Sequence, residues 1–157
     1  MASFAVKSLD HVVLTAKDID ATVKFYTTKL GMKHETFASD GIDRYSDPRY
    51  FNTLFQANTS SLCSLTLSSQ HRHALRFGSQ KINLHLSGKE FEPKARHVQP
   101  GSADLCFITD HPIDEVLSGW QSAGIEVLEG GKVVERTGAV GNLRSVYCRD
   151  PDGNLIE

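Results

Sequence analysis

Residues 149–157 read RDPDGNLIE, and the fold turns on how that stretch is read. Pro151 to Gly153 carries turn chemistry, because proline presets the φ of an inner turn position and glycine adopts the backbone angles that close the reversal. The turn predicts a final strand over Asn154 to Glu157, with Leu155 and Ile156 as its apolar residues. Asn142 to Cys148, ahead of the turn, reads as another strand. The last strand ends on a carboxylate, which needs a partner wherever it is enclosed.

Working backwards, ADLCFIT (Ala103 to Thr109) is an apolar strand, and Asp110 to Pro112 can start a helix. IDEVLSGWQSAG puts Ile113, Val116, Leu117 and Trp120 on one helical face before Gly124 ends it. Ile125 to Leu128 reads as a short strand, Gly130 and Gly131 as a turn, and Lys132 to Arg136 as a further strand. The same order stands earlier in the chain. LDHVVLT (Leu9 to Thr15) is a strand; Asp18 is a candidate N-cap; Ile19, Val23, Tyr26 and Leu30 share a helical face; and Gly31 closes the helix. Lys33 to Phe37 is a second strand, and His73 to Leu86 holds two more around Gly78, Ser79 and Gln80. Counted from Leu9 to Ala103, the period is about ninety residues, which marks a duplicated supersecondary unit rather than a solenoid repeat.

Two segments break the symmetry. Residues 39–72 are long for a connection, rich in Ser, Thr, Asn and Asp, and carry Tyr45, Tyr50, Phe51, Phe55 and the alternating SLCSLTL, so they read as a lid or insertion. Residues 88–101, GKEFEPKARHVQPG, are the linker between halves. The expected organisation is a single domain over 1–157, with module one at about 8–87 including the insertion, and module two at about 102–157.

Composition narrows the partners. The net charge is -2 with acidic and basic residues interspersed, which gives no electrostatic footprint for nucleic acid or an anionic membrane. No window approaches the roughly 18 apolar residues of a membrane span, and the start MASFAVKSLD has no signal-peptide core. The three cysteines are an odd number, and Cys106 and Cys148 lie in apolar runs, as reduced thiols do. A cytoplasmic protein is expected, with small molecules or copies of itself as partners.

Two strand-helix-three-strand units, opening on LDHVVLT and closing on RDPDGNLIE, resemble the vicinal oxygen chelate superfamily, the glyoxalase, fosfomycin-resistance and extradiol dioxygenase group. More narrowly, KINLHLSGKEFEPKA, PGSADLCFIT, VERTGA and YCRDPDGNLIE are similar to the glyoxalase-domain-containing proteins of eukaryotes. The resemblance implies an α+β fold in which two βαβββ modules form a cupped mixed sheet around one divalent metal ion, held by residues of the first and last strands of each module. Carried over residue by residue, the ligands are His11, His85 and Glu157; members usually continue past that last carboxylate. It also implies a homodimer, in some relatives with modules exchanged between chains.

The residues themselves support the set. Each lies in an otherwise apolar strand (DHVVL, INLHL, NLIE), where an unsatisfied buried polar group costs about 1–3 kcal/mol. Two imidazoles and a carboxylate suit Fe(II), and the same donors accept Zn, Mn, Co or Ni, which leaves the metal's identity open. Aligning ADLCFIT on LDHVVLT residue for residue puts Leu105 opposite His11. Asp104 then falls outside, and water completes a three-residue site.

Arg136, in VERTGAVG, offers a planar donor fork suited to a carboxylate or phosphonate of the substrate, and reads equally as a surface arginine. Arg76 lies in a strand and has the same two readings. His34, His71, His73, His97 and His111 lie in polar contexts and read as surface residues. Gly138 and Gly141 lack the context of a phosphate loop, and no cysteine has a base nearby in sequence. The expected function is a metal-dependent enzyme of glyoxalase type, a lyase or isomerase chelating a small oxygenated substrate. An Fe(II) extradiol-type dioxygenase and a non-catalytic small-molecule binding module are the alternatives.

Overall fold

The structure, a computed structural model, describes residues 4–37 and 72–157. The expected insertion lies outside the described residues, apart from Arg72 at its end. The first half runs β1 (His11–Ala16), α1 (Ile19–Lys29), β2 (Lys33–Phe37), β3 (Arg72–Phe77) and β4 (Gln80–Leu86). Its four strands form one sheet in the order β1-β4-β3-β2, with β1 and β4 parallel and the other pairs antiparallel. Asp18 caps α1 by accepting from the Ala21 N–H at 3.0 Å, and the helix closes with Gly31 at φ 67° and a 3.1 Å bond from Met32 N–H to Tyr26 O. That is the left-handed glycine stop that the sequence signals.

The second half holds β5 (Asp104–Leu105), α2 (Ile113–Ser122), a short helical turn α3 (Leu128–Gly131), β6 (Val134–Thr137), β7 (Asn142–Ser145), β8 (Cys148–Arg149) and β9 (Leu155–Ile156). Its strands pair as β5-β9-β8 and β6-β7. Because β7 and β8 follow one another along a single extended stretch, the two sheets together repeat the order of the first half.

Three strands differ from expectation. Ile125 to Leu128 forms no strand; Leu128 N–H bonds Tyr147 O at 2.8 Å, and α3 follows with Glu129 and Gly130 at φ 53° and 74°. The stretch from Asn142 to Cys148 breaks at Val146 and Tyr147, where the pairing passes from β6 on one side to β9 on the other. The strand expected over Ala103 to Thr109 shortens to β5, since the ladder ends where Phe107 N–H donates to Glu157 O at 2.9 Å, and Ile108 beyond it is exposed.

Alternation decides the faces of both sheets. Val12, Leu14, Ala16, Leu75, Ile82 and Leu84 turn towards α1 and form the core with Tyr26 and Met32. Ile156, Cys148 and Val146 do the same under α2. The halves meet where Trp120 Nε1–H points at Lys29 O, 3.4 Å away, and where Phe77 and Phe107 stack edge to face at 5.2 Å.

RDPDGNLIE acts as a clasp. Asp150, buried, accepts from Tyr26 OH at 3.0 Å, from Asn154 Nδ2 at 2.7 Å and from the backbone N–H groups of Asp152 and Asn154, both at 2.9 Å. Asp152 in turn takes the Lys17 N–H at 3.0 Å and the Thr22 hydroxyl at 3.3 Å, so the turn fixes the end of the second sheet to the start of α1. Gly101 closes the linker against it at φ 74°, where a Cβ would stand 2.6 Å from Asp152 O. Gly31 has a similar φ but open space around it. Gly31→Ala is therefore expected to cost about 1 kcal/mol for the left-handed backbone alone, and Gly101→Ala at least about twice that, since a backbone carbonyl must also move. Urea denaturation of both variants reads the difference; equal costs would contradict the contact.

Candidate metal site

The open faces, opposite the helices, carry the chemistry. On the first sheet the register sets the open-face residues in rows. One row runs His11, Lys81, Arg76, Lys33 and the next Val13, Asn83, Ala74, Glu35. The third runs Thr15, His85, Arg72, Phe37, with Arg72 set beside His85 by continuing the β3-β4 register. His11 and His85 thus share a face, but His11 is opposite Lys81 while His85 is opposite Thr15. Four residues of strand separate them, about 13 Å at 3.3 Å per residue. The register therefore sets His11 and His85 at separate points of the open face. Asn83 Oδ1, two residues nearer to His11, is buried on that face with no hydrogen-bond partner among the described residues.

On the second sheet Leu105 is opposite Ile156, which is fully buried, so Leu105 faces the core. Asp104 is opposite Leu155 on the other face, which is the face of Glu157. The bonds Glu157 N–H to Leu105 O (2.8 Å) and Phe107 N–H to Glu157 O set Glu157 opposite Cys106. The expectation that Asp104 falls outside is therefore corrected: the residue-for-residue alignment with Leu105 is one position out, and in a strand one position reverses the face. Asp104 is the counterpart of His11. Each stands 20 residues before the positive-φ glycine that closes its helix, Gly31 or Gly124. By the same step, two residues past the partner of the first-strand donor, Glu157 is the counterpart of Asn83. The duplication thus sets four polar side chains at equivalent positions: His11 and Asn83 on the first sheet, Asp104 and Glu157 on the second. The 20-residue spacing is the signal in the sequence that finds Asp104.

Glu157 is held in place. Its Oε1 accepts from the Ser145 hydroxyl at 2.6 Å, and Tyr147 and Cys106 lie against its carboxylate. Burial raises the Tyr147 phenol above its usual value, and the bond to Glu157 adds to the effect. Burial likewise raises the Cys106 thiol, with Glu157 beside it, so Cys106 stays protonated and is no nucleophile. Arg136 lies on the same face, its guanidinium 5.3 Å from the Tyr147 ring centroid and 3.0 Å from Glu129. Arg144 turns the other way, to a forked pair with Asp114 at 3.1 Å.

His11 Nδ1 is 2.7 Å from Asp10 Oδ1, which orients the ring. His85 packs edge-on to Phe91 at 5.1 Å, and burial, with the Arg72 cation near it, lowers its pKa and keeps it neutral. Arg76 pairs with Glu35 at 2.8 Å on the open face. His34 and His73 lie on the opposite side, with Nε2 and Nδ1 3.0 Å apart. Among the described residues no three of His, Cys, Asp and Glu converge on one point. No helix among the described residues is long and apolar enough to cross a membrane.

The sequence model of the Glyoxalase/Bleomycin resistance protein/Dioxygenase superfamily matches residues 8–157. The virulence protein STM3117 of Salmonella typhimurium is 45% identical over 152 residues, 97% of this chain and 83% of that protein. The glyoxalase domain-containing protein RDO1 of Mycosarcoma maydis is 46% identical over 153 residues, 98% of this chain and 68% of that one. The crystal structure of STM3117 superposes with a TM-score of 0.74 at 44% identity, covering 98% of this chain and 95% of that one.

Proposed function

We propose that this chain, which belongs to the Glyoxalase/Bleomycin resistance protein/Dioxygenase superfamily, binds one divalent metal ion through His11, Asn83, Asp104 and Glu157 and holds a small oxygenated substrate there through two of the substrate's oxygens. The observation that carries the reading is Asn83. A buried amide oxygen without a donor costs about 1–3 kcal/mol, and this one occupies the position that the duplication gives to a carboxylate in the other half. One imidazole, one amide oxygen and two carboxylates form a donor set suited to Zn, Mn, Fe, Co or Ni, and two carboxylates balance the charge of a divalent ion. A metal bound there would supply Lewis acidity towards an oxyanion developing on the substrate.

The chain's own residues do the rest. Ser145 and Tyr147 fix Glu157, and Asp10 fixes the His11 ring, so the donors are held before the ion arrives. Arg136, its guanidinium carbon 5.3 Å from the Tyr147 ring centroid, would stand on the second-sheet side of a bound substrate. Reaction of lyase or isomerase type fits best. The dioxygenase alternative rests on two histidines and one carboxylate, and it weakens once His85 stands apart from His11.

Each chain contributes two donors from each sheet, and the halves do not converge within the described residues. A homodimer in which one copy's first module faces the partner's second would complete the set. Free Cys106 and Cys148 suit a reducing, cytoplasmic compartment. Calorimetric titration of chelator-treated protein with Zn, Mn and Ni, with size measured alongside, tests the reading. The expected result is one metal per chain and a dimer; no binding of any of the three would overturn it.

A further inference from the structure

We propose that the open face of the first sheet is a binding site for an organic oxyanion, a carboxylate, phosphate or phosphonate, gripped by Arg72. This deepens the proposed function by naming the substrate class, and it rests on the open face being the substrate side.

Arg72 is placed as a ligand-binding arginine is. Its guanidinium carbon lies 4.4 Å from the Phe91 ring centroid, which fixes the plane of the donor fork. Yet its Nε is buried and without a hydrogen-bond partner among the described residues. A buried guanidinium N–H with no acceptor is costly, and the group that satisfies it in the smallest rearrangement is a planar or tetrahedral oxyanion taking Nε–H and an Nη–H together. Asn83 Oδ1, the other orphaned buried atom on these strands, belongs to the neighbouring row. The two orphans therefore mark adjoining ends of one ligand, an anionic end at Arg72 and an oxygenated end at the metal donors.

The surrounding charge agrees. On the four strands the open face carries Lys33, Arg72, Arg76 and Lys81 against one acidic side chain, Glu35, which pairs with Arg76. Lys81 Nζ lies 5.0 Å from the Phe37 ring centroid, so two aromatic rings, Phe37 and Phe91, stand among the cations. Like charges gathered on one face favour an anion. Arg136 is less suited to the grip, because its Nη atoms are already used by Glu129 and by Glu135 O.

Metal-free protein titrated with phenylphosphonate and with benzoate tests this independently of the metal. Saturable binding of at least one is expected, with no binding of the neutral benzyl alcohol. Arg72→Gln should weaken it tenfold or more, Arg72→Lys should fall between, and Arg144→Gln, on the opposite face, should leave it unchanged. Should Arg72→Gln not fold, Arg72→Lys carries the test, since it keeps the charge and loses the fork. No binding of either anion by the parent, or equal binding by parent and Arg72→Lys or Arg72→Gln, overturns the proposal. Oxyanion binding without metal binding would leave it standing while overturning the metal reading.

Discussion

Asp150→Ala is expected to destabilise the protein by about 3–5 kcal/mol, the largest loss for any single side chain of the closing stretch. Four donors converge on this one buried carboxylate: Tyr26 OH, Asn154 Nδ2 and the N–H groups of Asp152 and Asn154. Alanine leaves all of them without that acceptor in a buried site. The effect reaches Asp104 and Glu157, because Asn154 Oδ1 accepts the Ala103 N–H at 2.9 Å and so sets β5 beside β9. At about 2–4 °C per kcal/mol for a chain of this size, the thermal midpoint should fall by about 10 °C. Tyr26→Phe removes one of the four bonds and should cost only about 1 kcal/mol. An Asp150→Ala midpoint within about 2 °C of the parent, less than the loss of a single kcal/mol would produce, would show that the turn is no clasp.

Glu157→Gln should weaken divalent-metal binding by a hundredfold or more, with little change in stability. Glutamine keeps an oxygen to accept the Ser145 hydroxyl, now 2.6 Å from Oε1, so the local structure survives. What it removes is one of two negative charges in the donor set, and neutral amides are poor replacements for carboxylates as metal ligands. Ser145→Ala and Tyr147→Phe act only through the orientation of Glu157 and should cost about tenfold each. Calorimetric titration separates the cases; equal affinity in Glu157→Gln and the parent would remove Glu157 from the site.

Much of the fold is legible in the sequence because local signals agree with the final structure. Asp18, Gly31 and the spacing of Ile19, Val23 and Tyr26 announce α1 from caps and period alone. The duplication can be read from strand order, and DPDG from turn chemistry. What escapes depends on partners far away in the chain. A strand exists only where something pairs with it, so Ile125 to Leu128 and the ends of Ala103 to Thr109 look like strands yet form none. Arg72, at the end of a polar segment, gives no hint that Phe91 covers it. One position turns on alternation: without the pairing register an apolar context fits either face, so Leu105 is set opposite His11 although Asp104 shares the face of Glu157. His85 and Asn83 share a face, and only the register tells which of them stands nearer to His11.

The measurement that tests the donor set most directly is metal content per chain, by elemental analysis, of the parent beside His11→Ala, Asn83→Ala and His85→Ala. The expected result is near one equivalent of a transition metal in the parent and in His85→Ala, with loss in His11→Ala and a reduced content in Asn83→Ala. Retention by Asn83→Ala together with loss in His85→Ala would contradict the donor set derived from the strand register.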